Sequence, residues 1–500
     1  MLYNSTRGQS AKVTAPEAII KGLASDGGLL VPEYFPVLSM ADLLDLQTTT
    51  YQERAQSIMG LFLPEFSGYE LANCINAAYN SDSFDHPAIA PLVQLSPGTQ
   101  ILELWHGPTS AFKDMALQIL PQLHTVSKAK TGSTTDTVIL VATSGDTGKA
   151  ALEGFKNVQG TQIIVFYPRD GVSEVQKQQM LTQEGNNVMV AGVIGNFDDA
   201  QSGVKRIFSD PSLIERLATA GLTMSSANSI NWGRLLPQIV YYVSAYVDLV
   251  ATAQINPGDA INFVVPTGNF GNILAGYYAS RIGVPINKLL CASNANNVLT
   301  DFLNTGIYDR NRTFYQTMSP SMDILISSNL ERLLYEMTDH DAIKVRNWMQ
   351  ELNETGRYQV DTEILNQLKS RFIADYCDDA TTLQTISETW LNHHYLLDTH
   401  TAVAVKVYER YREKTGDPTP TVIVSTASPF KFTSSVAQAV LTAEEIALAD
   451  NEFALVNILA HATSEPIPIP LRDLDQKPVL HSIICDKSDM ASTVIRMLGL

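Results

Sequence analysis

Thr137-Val-Ile-Leu-Val-Ala142 is a continuous apolar run rich in β-branched residues, and Thr143-Ser-Gly-Asp-Thr-Gly148 follows it directly. A run without polar alternation is typical of a strand that is buried on both faces of a sheet. The polar, glycine-containing segment predicts a loop, and the residues through Phe155 predict a helix. Strands of this type joined by helices imply right-handed βαβ units and a parallel sheet covered on both faces.

Similar strand signals occur on both sides of this stretch. They lie at residues 101–104, 162–167, 187–191, 261–265, 288–292 and 421–425. We therefore predict an α/β protein with two domains built on parallel or mixed sheets, preceded by a mainly helical N-terminal segment. The predicted divisions are 1–95 for that segment, 96–225 for the first α/β domain and 226–500 for a larger one. Within the larger domain, residues from about 300 to 395 are predicted to be a helical insertion without a strong strand.

Composition excludes several classes of function. Apolar residues make up 45% of the 500-residue chain and charged residues 17%, which is typical of a globular protein with a large interior. The net charge of −18 offers no basic surface for nucleic acid or an anionic membrane. The most apolar helical stretch, residues 235–253, contains Gln238 and Asp248 and is predicted to be a buried core helix rather than a membrane span.

The cysteines and histidines indicate neither disulfides nor a metal site. Cys74, Cys291, Cys377 and Cys485 have no paired spacing, which predicts free thiols. Together with a polar N-terminus, this favours a cytoplasmic protein. The nine histidines have no metal-binding spacing, so no metal is predicted.

A lysine with apolar neighbours is the first candidate for chemistry. It lies in His106-Gly-Pro-Thr-Ser-Ala-Phe-Lys113-Asp114, between the apolar pair Ala111 and Phe112 and an acid. An amine desolvated by apolar groups has a lowered pKa and can attack a carbonyl, as a Schiff-base lysine must. A lysine whose stem packs on Phe112 at a helix start explains the same residues. The motif alone leaves both interpretations open.

Two strand–loop–helix segments are candidates for anion binding. Gly268-Asn-Phe-Gly-Asn272 follows a buried strand, and its glycines would allow successive N–H groups to point outward at a helix N-terminus. A tight turn that serves geometry alone remains the alternative. Thr143-Ser-Gly-Asp-Thr-Gly148 occupies the corresponding place in the first set of units and could bind a carboxylate in the same way. Lys149 after it does not complete a nucleotide-binding loop, because Thr143 stands where the first glycine would be.

Two further segments allow both a structural and a functional interpretation. Asn228-Ser-Ile-Asn-Trp-Gly-Arg234 opens a long helix and is either a capping sequence or a second anion site charged by Arg234. Thr426 follows the strand at residues 421–425. It is either a turn hydroxyl or a residue that faces a ligand at the strand ends, where open α/β sheets bind their ligands.

Taken together, these motifs resemble the threonine synthase family, whose members are pyridoxal-phosphate (PLP) enzymes of fold type II. The resemblance covers essentially the full chain. It also includes Ser5-Thr-Arg-Gly8, Ser319-Pro-Ser-Met-Asp323 and Ser327-Ser-Asn329. One position departs from the family pattern: Ser428 stands where a histidine is expected, which affects the shape of the loop after Thr426.

The resemblance implies a role for each candidate residue. Lys113 would form the covalent link to PLP, and the cofactor phosphate would be bound by Gly268, Asn269, Phe270, Gly271 and Asn272. Thr426 would hydrogen-bond the pyridine nitrogen, and a neutral hydroxyl there makes the ring a moderated electron sink. The carboxylate and ring region of the substrate would be contacted by Ser144, Gly145, Asp146 and Thr147. Candidates for the substrate phosphate are Lys149, Asn228, Ser229 and Arg234.

The implied reaction converts O-phospho-L-homoserine and water to L-threonine and phosphate. It makes the chain a carbon–oxygen lyase acting on phosphate, in the last step of threonine biosynthesis. Another fold type II PLP lyase, such as a threonine or serine dehydratase, would share Lys113 and the glycine segment but would need no second anion site. The expected partner is the small-molecule substrate, without nucleic acid or membrane, in a monomer or homodimer.

Overall fold

The computed structural model describes residues 1–169 and 172–500. Its strands are β1 (Leu2–Ser5), β2 (Val13–Thr14), β3 (Leu30–Pro32), β4 (Leu92–Ser96), β5 (Thr99–Glu103), β6 (Asp136–Ala142), β7 (Thr161–Pro168), β8 (Val188–Ile194), β9 (Leu222–Ser225), β10 (Ile261–Pro266), β11 (Ile286–Ser293), β12 (Ile307–Asp309), β13 (Arg357–Gln359), β14 (Phe372–Tyr376), β15 (Thr421–Ser425) and β16 (Ile483–Asp486).

The helices lie between and around these strands. They are α1 (Ala15–Lys21), α2 (Met40–Asp45), α3 (Tyr51–Phe62), α4 (Gly68–Ala78), α5 (Asp114–Leu117), α6 (Leu120–Thr131), α7 (Asp146–Phe155), α8 (Glu174–Leu181), α9 (Phe197–Phe208), α10 (Pro211–Thr219), α11 (Trp232–Ala251), α12 (Gly271–Arg281), α13 (Val298–Thr305), α14 (Leu330–Met337), α15 (Ala342–Thr355), α16 (Thr362–Arg371), α17 (Asp379–His393), α18 (Thr399–Thr415), α19 (Thr433–Val440), α20 (Ala443–Ile446), α21 (Glu452–Thr463) and α22 (Met490–Leu498). Short 3-10 turns at Pro320–Met322 and Pro429–Phe432 also border the site described below.

The larger of the two main sheets has six strands among the described residues. Among the described residues its strand order is β14-β11-β10-β15-β5-β4. All neighbours are parallel except β4 and β5 at one edge. Every residue of β10 and β15 is buried. This burial explains why both strands are continuous apolar runs in the sequence.

The smaller sheet is entirely parallel and has the order β16-β8-β7-β6-β9 within the described residues. Its central strands β6 and β7 have buried interiors. Helix α7 follows β6 directly after the loop at residues 143–145 and packs against β7. The predicted α/β class and the predicted βαβ units around this loop are therefore confirmed.

Strand pairing differs from the predicted domain division at two places. Strand β5, which we assigned to the first α/β domain, pairs with β15 of the larger sheet. Strand β16, from the C-terminal residues of the predicted larger domain, pairs with β8 of the smaller sheet. Hydrophobic periodicity identifies a buried strand but does not specify its neighbour, because that pairing is between residues far apart in sequence.

Besides β4, β9 and β16, the N-terminal segment and the insertion contain strands that we did not predict from the sequence. The N-terminal segment has a small antiparallel sheet, β2-β1-β3, besides its helices. The insertion at about 300–395 contains the antiparallel pair β12–β13 and also β14, which forms an edge of the larger sheet. The prediction of an insertion without a strong strand was wrong at β14. That strand is only partly buried and includes Asp375, so its apolar signal is weak.

Helix α11 passes through the interior as predicted. All of its residues from Trp232 to Leu249 are buried except Asp248. Within residues 1–169 and 172–500, no helix has both the length and the apolar character that a bilayer crossing requires. The four cysteines are free and buried, which confirms the prediction of unbridged thiols.

Candidate active site

Lys113 lies beside the carboxyl end of β15. Its motif is joined to the residues after that strand by the N–H of Phe112, which donates to the carbonyl of Thr426 at 2.9 Å. A bridge between Ala111 and Ala427 adds to this contact. Because β5 and β15 are parallel neighbours, their carboxyl ends lie on the same side of the sheet, where open α/β sheets bind their ligands. Lys113 itself immediately precedes the short helix α5.

The amine of Lys113 is buried but not isolated. Its side chain is among the buried charged groups, at 8% exposure of the residue. Nζ donates to Oγ of Ser321 at 3.0 Å and to Oδ2 of Asp146 at 3.4 Å. Burial lowers the pKa of Lys113 to about 8; Asp146 opposes this shift, and the positive charges of Lys431 and Arg234 add to it. A substantial neutral fraction near neutral pH suits a lysine that must act as a nucleophile or base.

Asp146 is the acid at the centre of the cluster. It is the first residue of α7, and its Oδ1 lies 2.8 Å from Nζ of Lys431 and accepts from Nε2 of Gln176 at 2.9 Å. Burial by itself would raise the pKa of Asp146, but the ammonium groups of Lys431 and Lys113 outweigh it and hold that pKa well below its usual range. Asp146 is therefore ionised at every physiological pH.

The loop that precedes Asp146 is held in its conformation by the hydroxyl group of Thr143. Oγ1 of Thr143 accepts from the N–H groups of Gly145 at 3.0 Å and Gly148 at 2.8 Å. Ser144 and Thr147 remain only partly buried on this loop. The structure thus brings the predicted segment 144–147 to Lys113 through Asp146.

The glycine segment between β10 and α12 passes close to the same cluster. A Cβ atom on Gly268 would lie 2.5 Å from the carbonyl oxygen of Ser321, so only glycine fits there. The segment is held by Ser327, whose Oγ donates to the carbonyl of Gly268 at 2.7 Å. The backbone N–H of Asn329 donates to the carbonyl of Asn269 at 3.1 Å, and its Nδ2 donates to the same oxygen at 3.0 Å.

Asn272 presents an amide donor at this helix start. Its Oδ1 accepts from the hydroxyls of Tyr241 at 2.8 Å and Tyr242 at 2.7 Å, which fixes the amide. Its Nδ2 is buried and, among the residues the structure describes, makes no hydrogen bond. An oriented amide N–H₂ in the first turn of the eleven-residue helix α12 is a suitable donor for a phosphate.

A second set of donors lies at the start of α11. Arg234 is 3% exposed, and its Nη1 donates to the carbonyl of Ala227 at 2.9 Å. In the described part of the chain no carboxylate pairs with it and its Nε has no partner. Burial lowers the pKa of Arg234 to about 10, so the guanidinium stays charged at neutral pH. Asn228 and Ser229 lie partly buried in the segment that precedes it.

Not every predicted residue joins this cluster. Nζ of Lys149 donates to Oε2 of Glu153 at 2.9 Å and to Oε1 of Gln183. It lines a separate cleft of about 430 Å³ beside residues 81–85 and 477–480. The prediction that Lys149 contacts the substrate phosphate is thus not supported by its position, because the carboxylate one turn further along α7 holds its ammonium. Thr426, in contrast, is 5% exposed, and its hydroxyl makes no hydrogen bond to the described residues.

Comparison with known proteins gives the family. Residues 2–79 match the family described as "Threonine synthase N terminus", residues 89–427 match "Pyridoxal-phosphate dependent enzyme", and residues 401–484 match "Threonine synthase, C-terminal". The threonine synthase of Pseudomonas aeruginosa is 38% identical over 440 residues, covering 88% of this chain and 90% of that protein. The chain belongs to the threonine synthase family.

Solved structures of this family share the whole fold. The PLP-bound threonine synthase of Brucella melitensis has a TM-score of 0.87 at 37% identity, covering 99% of both chains. The yeast threonine synthase has the same TM-score at 34% identity, covering 100% of this chain and 99% of that one. Human "Threonine synthase-like 1" is 43% identical over 435 residues, which are 85% of this chain but 57% of that protein. The chain therefore spans little more than half the length of that relative.

The residues around Lys113 fit the cofactor of the family. A buried lysine with a lowered pKa lies near a glycine segment at a helix N-terminus, which carries an amide donor without a partner among the described residues. The hydroxyl of Thr426 makes no hydrogen bond with the described residues and is available to a ring nitrogen. This set matches an aldehyde, a phosphate and a heteroaromatic nitrogen. By its match over residues 89–427, the chain also belongs to the family of pyridoxal-phosphate-dependent enzymes.

Sequence reasoning missed several residues of the cluster. Ser321 and Asn329 lie in motifs that carried the resemblance, but nothing in their spacing predicted contacts with Lys113 or the glycine segment. His400, which accepts from the N–H of Ser321 at 3.2 Å, was not predicted to lie in the cluster. Lys431 had a detectable signal, since it lies between Phe430 and Phe432, as Lys113 follows Phe112. A lysine embedded in aromatic residues is a candidate for burial wherever it occurs.

Proposed function

We propose that this chain is a threonine synthase that converts O-phospho-L-homoserine and water to L-threonine and phosphate. The observation that carries the proposal is the position of Lys113 near two separate groups of buried donors. One group is the glycine segment with the unpartnered Nδ2 of Asn272, and the other is Arg234 with its unpartnered Nε, in the described part of the chain. A reaction that combines a phosphorylated cofactor with a phosphorylated substrate requires two such anion sites.

Three parts of the site would hold the cofactor. Lys113 would bind it covalently, and Gly268 to Asn272 would hold its phosphate through backbone N–H groups and the Asn272 amide. Thr426 would hydrogen-bond the ring nitrogen. When bound, PLP withdraws electrons from the substrate carbons, so that protons at Cα and Cβ become removable.

The chain supplies the proton transfers. In its neutral form, Nζ of Lys113 would take the proton from Cα of the substrate and later return a proton to Cγ. Asp146 and Ser321, which lie 3.4 and 3.0 Å from Nζ, would orient the amine between these steps. Because the cluster is buried, few water molecules reach Nζ to compete for its proton.

Arg234, with Asn228 and Ser229, would hold the substrate phosphate, and residues 144–147 its carboxylate. The positive charge in this region exceeds the negative charge. Arg332, near the same segment, is fully buried and donates to the carbonyls of Leu30 at 3.0 Å and Ile230 at 2.6 Å. In the described residues neither Arg234 nor Arg332 forms an ion pair with a carboxylate. Such an excess favours a dianionic substrate and stabilises phosphate as it leaves.

The absorbance spectrum of the purified chain, combined with an assay for released phosphate, tests this proposal. We expect a visible band from the lysine-bound cofactor that disappears in Lys113→Ala. On addition of O-phospho-L-homoserine, phosphate and threonine should appear in equal amounts.

The other outcomes are equally informative. A visible band without phosphate release, together with deamination of threonine or serine, would overturn the proposal in favour of a dehydratase. A folded protein that acquires no band with added PLP would contradict the assignment of Lys113.

A further inference from the structure

We propose that Lys431 is a positioning residue that keeps Asp146 ionised and oriented, so that Lys113 can give up its proton without leaving a buried carboxylate unpaired. Lys431 contacts neither of the two proposed phosphate sites, and the reaction steps described above assign it no role. It is nevertheless a fully buried lysine, with no exposed side-chain surface. A buried ammonium group is costly unless it is paired, and Lys431 is paired with Asp146.

Lys431 joins segments from two parts of the fold. It lies in the turn Pro429–Phe432 after β15, and its Nζ is 2.8 Å from Oδ1 of Asp146, which begins α7 beside the smaller sheet. The same Nζ donates to the carbonyl of Thr109 at 2.8 Å. Thr109 belongs to the motif that carries Lys113, so Lys431 holds Asp146 and that motif together.

The two oxygens of Asp146 have different partners. Oδ1 binds Lys431 and Gln176, neither of which takes part in the proposed reaction steps. Oδ2 faces Nζ of Lys113 at 3.4 Å and accepts from Oγ of Ser321 at 3.2 Å. The contact between Asp146 and Lys431 therefore does not involve Lys113, whereas the ion pair between Asp146 and Lys113 lasts only while Lys113 is protonated.

This division matters because Lys113 must lose its charge to bind a carbonyl group. If Lys113 were the only cation beside Asp146, its deprotonation would leave a buried carboxylate unpaired, which is costly. With Lys431 in place the carboxylate keeps a partner at 2.8 Å. Three charged groups act on Lys113. The carboxylate of Asp146 favours the protonated form of Lys113, whereas the positive charges of Lys431 and Arg234 disfavour it. His400 acts in addition on Asp146.

The inference rests on Lys113 as the cofactor lysine of the proposed function, but not on the identity of the substrate. It is tested on the full chain freed of PLP. Trace acetylation across a pH series, followed by mass spectrometry, reports the neutral fraction of Lys113 relative to the exposed Lys487. We expect Lys431→Met to raise the pH midpoint for deprotonation of Lys113 by about one unit. Below that midpoint the neutral fraction of Lys113 would then be roughly tenfold smaller.

Two control variants separate this effect from general damage. Lys149→Met removes another buried lysine that is paired with a carboxylate outside the cluster, and it should leave the midpoint unchanged. Asp146→Asn tests the route of the effect. In that background Lys431→Met should raise the midpoint less, because only direct repulsion between the two ammonium groups remains.

Two results would overturn the inference. One is a wild-type midpoint in folded Lys431→Met, and the other is an equal rise with and without Asp146. If Lys431→Met does not fold, Lys431→Gln, which retains a donor, takes its place with the same expected rise. If neither folds, the double variant Asp146→Asn/Lys431→Met must fold, because it removes both members of the buried ion pair and Lys113, whose pKa burial already lowers, can remain neutral. Its failure to fold would also contradict the inference.

Discussion

The side chains around Lys113 carry charge at a place where burial makes charge costly. Asp146 is enclosed, yet contacts with Lys431 and Lys113 keep it ionised. Arg234 is buried without a carboxylate partner among the described residues, so its charge is not neutralised by the protein. An unpaired buried guanidinium lowers the stability of the protein when the site is empty. The same group stabilises a bound anion strongly, through charge-assisted hydrogen bonds. Arg234 therefore contributes more to ligand binding than to the stability of the empty protein.

Arg234→Ala should therefore weaken binding of the phosphorylated substrate. Hydrogen bonds to a charged group contribute about 1.5–3 kcal/mol, which corresponds to a rise in KM of roughly ten- to a hundredfold. The measurement is steady-state kinetics with O-phospho-L-homoserine, after circular dichroism has shown that the variant is folded. Lys149→Ala is the matched control, since Lys149 is held by Glu153 and its loss should leave KM unchanged. An unchanged KM in folded Arg234→Ala would remove that residue from the phosphate site.

At the scale of elements, close contact between helices keeps the Lys113 motif in place. Gly154 lies near the end of α7 and faces the end of α5, the helix that begins directly after Lys113. A Cβ atom on Gly154 would be 2.0 Å from the carbonyl oxygen of Leu117. Because this neighbour is backbone, α5 could make room only by moving as a whole. Helix α7 also carries Asp146, so the contact sets the spacing between the acid and the lysine.

Gly154→Ala should destabilise the protein although alanine is the better helix former. The gain in helix propensity is about 1 kcal/mol, whereas overpacking costs about 1–3 kcal/mol and here displaces backbone. We expect a net loss in the free energy of unfolding, measured by urea denaturation. Gly60→Ala in α3 is the control, because its Cβ would meet only Leu71 at an ordinary 3.7 Å. Equal stability of the two variants would show that α5 and α7 are not tightly packed.

At the scale of the whole molecule, the N-terminal segment is fastened to the glycine segment through α14. Glu331 in that helix accepts from Oγ1 of Thr6 at 2.6 Å and from Nε and Nη2 of Arg7 at 3.0 and 2.9 Å. The next residue, Arg332, donates to the carbonyl of Leu30 and to Oδ1 of Asn329. Asn329 in turn holds Asn269. Residues near the N-terminus thus support the proposed cofactor site over a long sequence separation.

Glu331→Ala should loosen this connection. We expect a loss of roughly 1.5–3 kcal/mol in the free energy of unfolding, nearer the lower value because Arg7 is partly exposed to water. PLP should also dissociate faster, measured by its transfer to an excess of another PLP-binding protein. Glu351→Ala, on the exposed face of α15, is the control and should change neither quantity. Unchanged PLP release in a destabilised Glu331→Ala would mean that α14 does not support the glycine segment.

Local pattern predicted the parts of this protein that depend on neighbouring residues. The strands β6, β7, β10 and β15 are continuous apolar runs because they are buried on both faces. The glycine segment after β10 and the polar loop after β6 were identified as candidate anion-binding loops because each joins a buried strand to a helix N-terminus, with a purely structural turn as the alternative for the glycine segment. Short or half-exposed strands such as β1 and β14 were missed, because few residues and mixed polarity leave little periodicity.

The sequence by itself determined the α/β class, the family resemblance and the lysine with apolar neighbours, since each depends on residues within one or two turns of chain. Only the tertiary structure decided that β5 pairs with β15, that β16 pairs with β8 of the smaller sheet, and that Lys431 meets Asp146. Those contacts join residues hundreds of positions apart. Their existence depends on how the two sheets and α11 pack, and no local pattern records that packing.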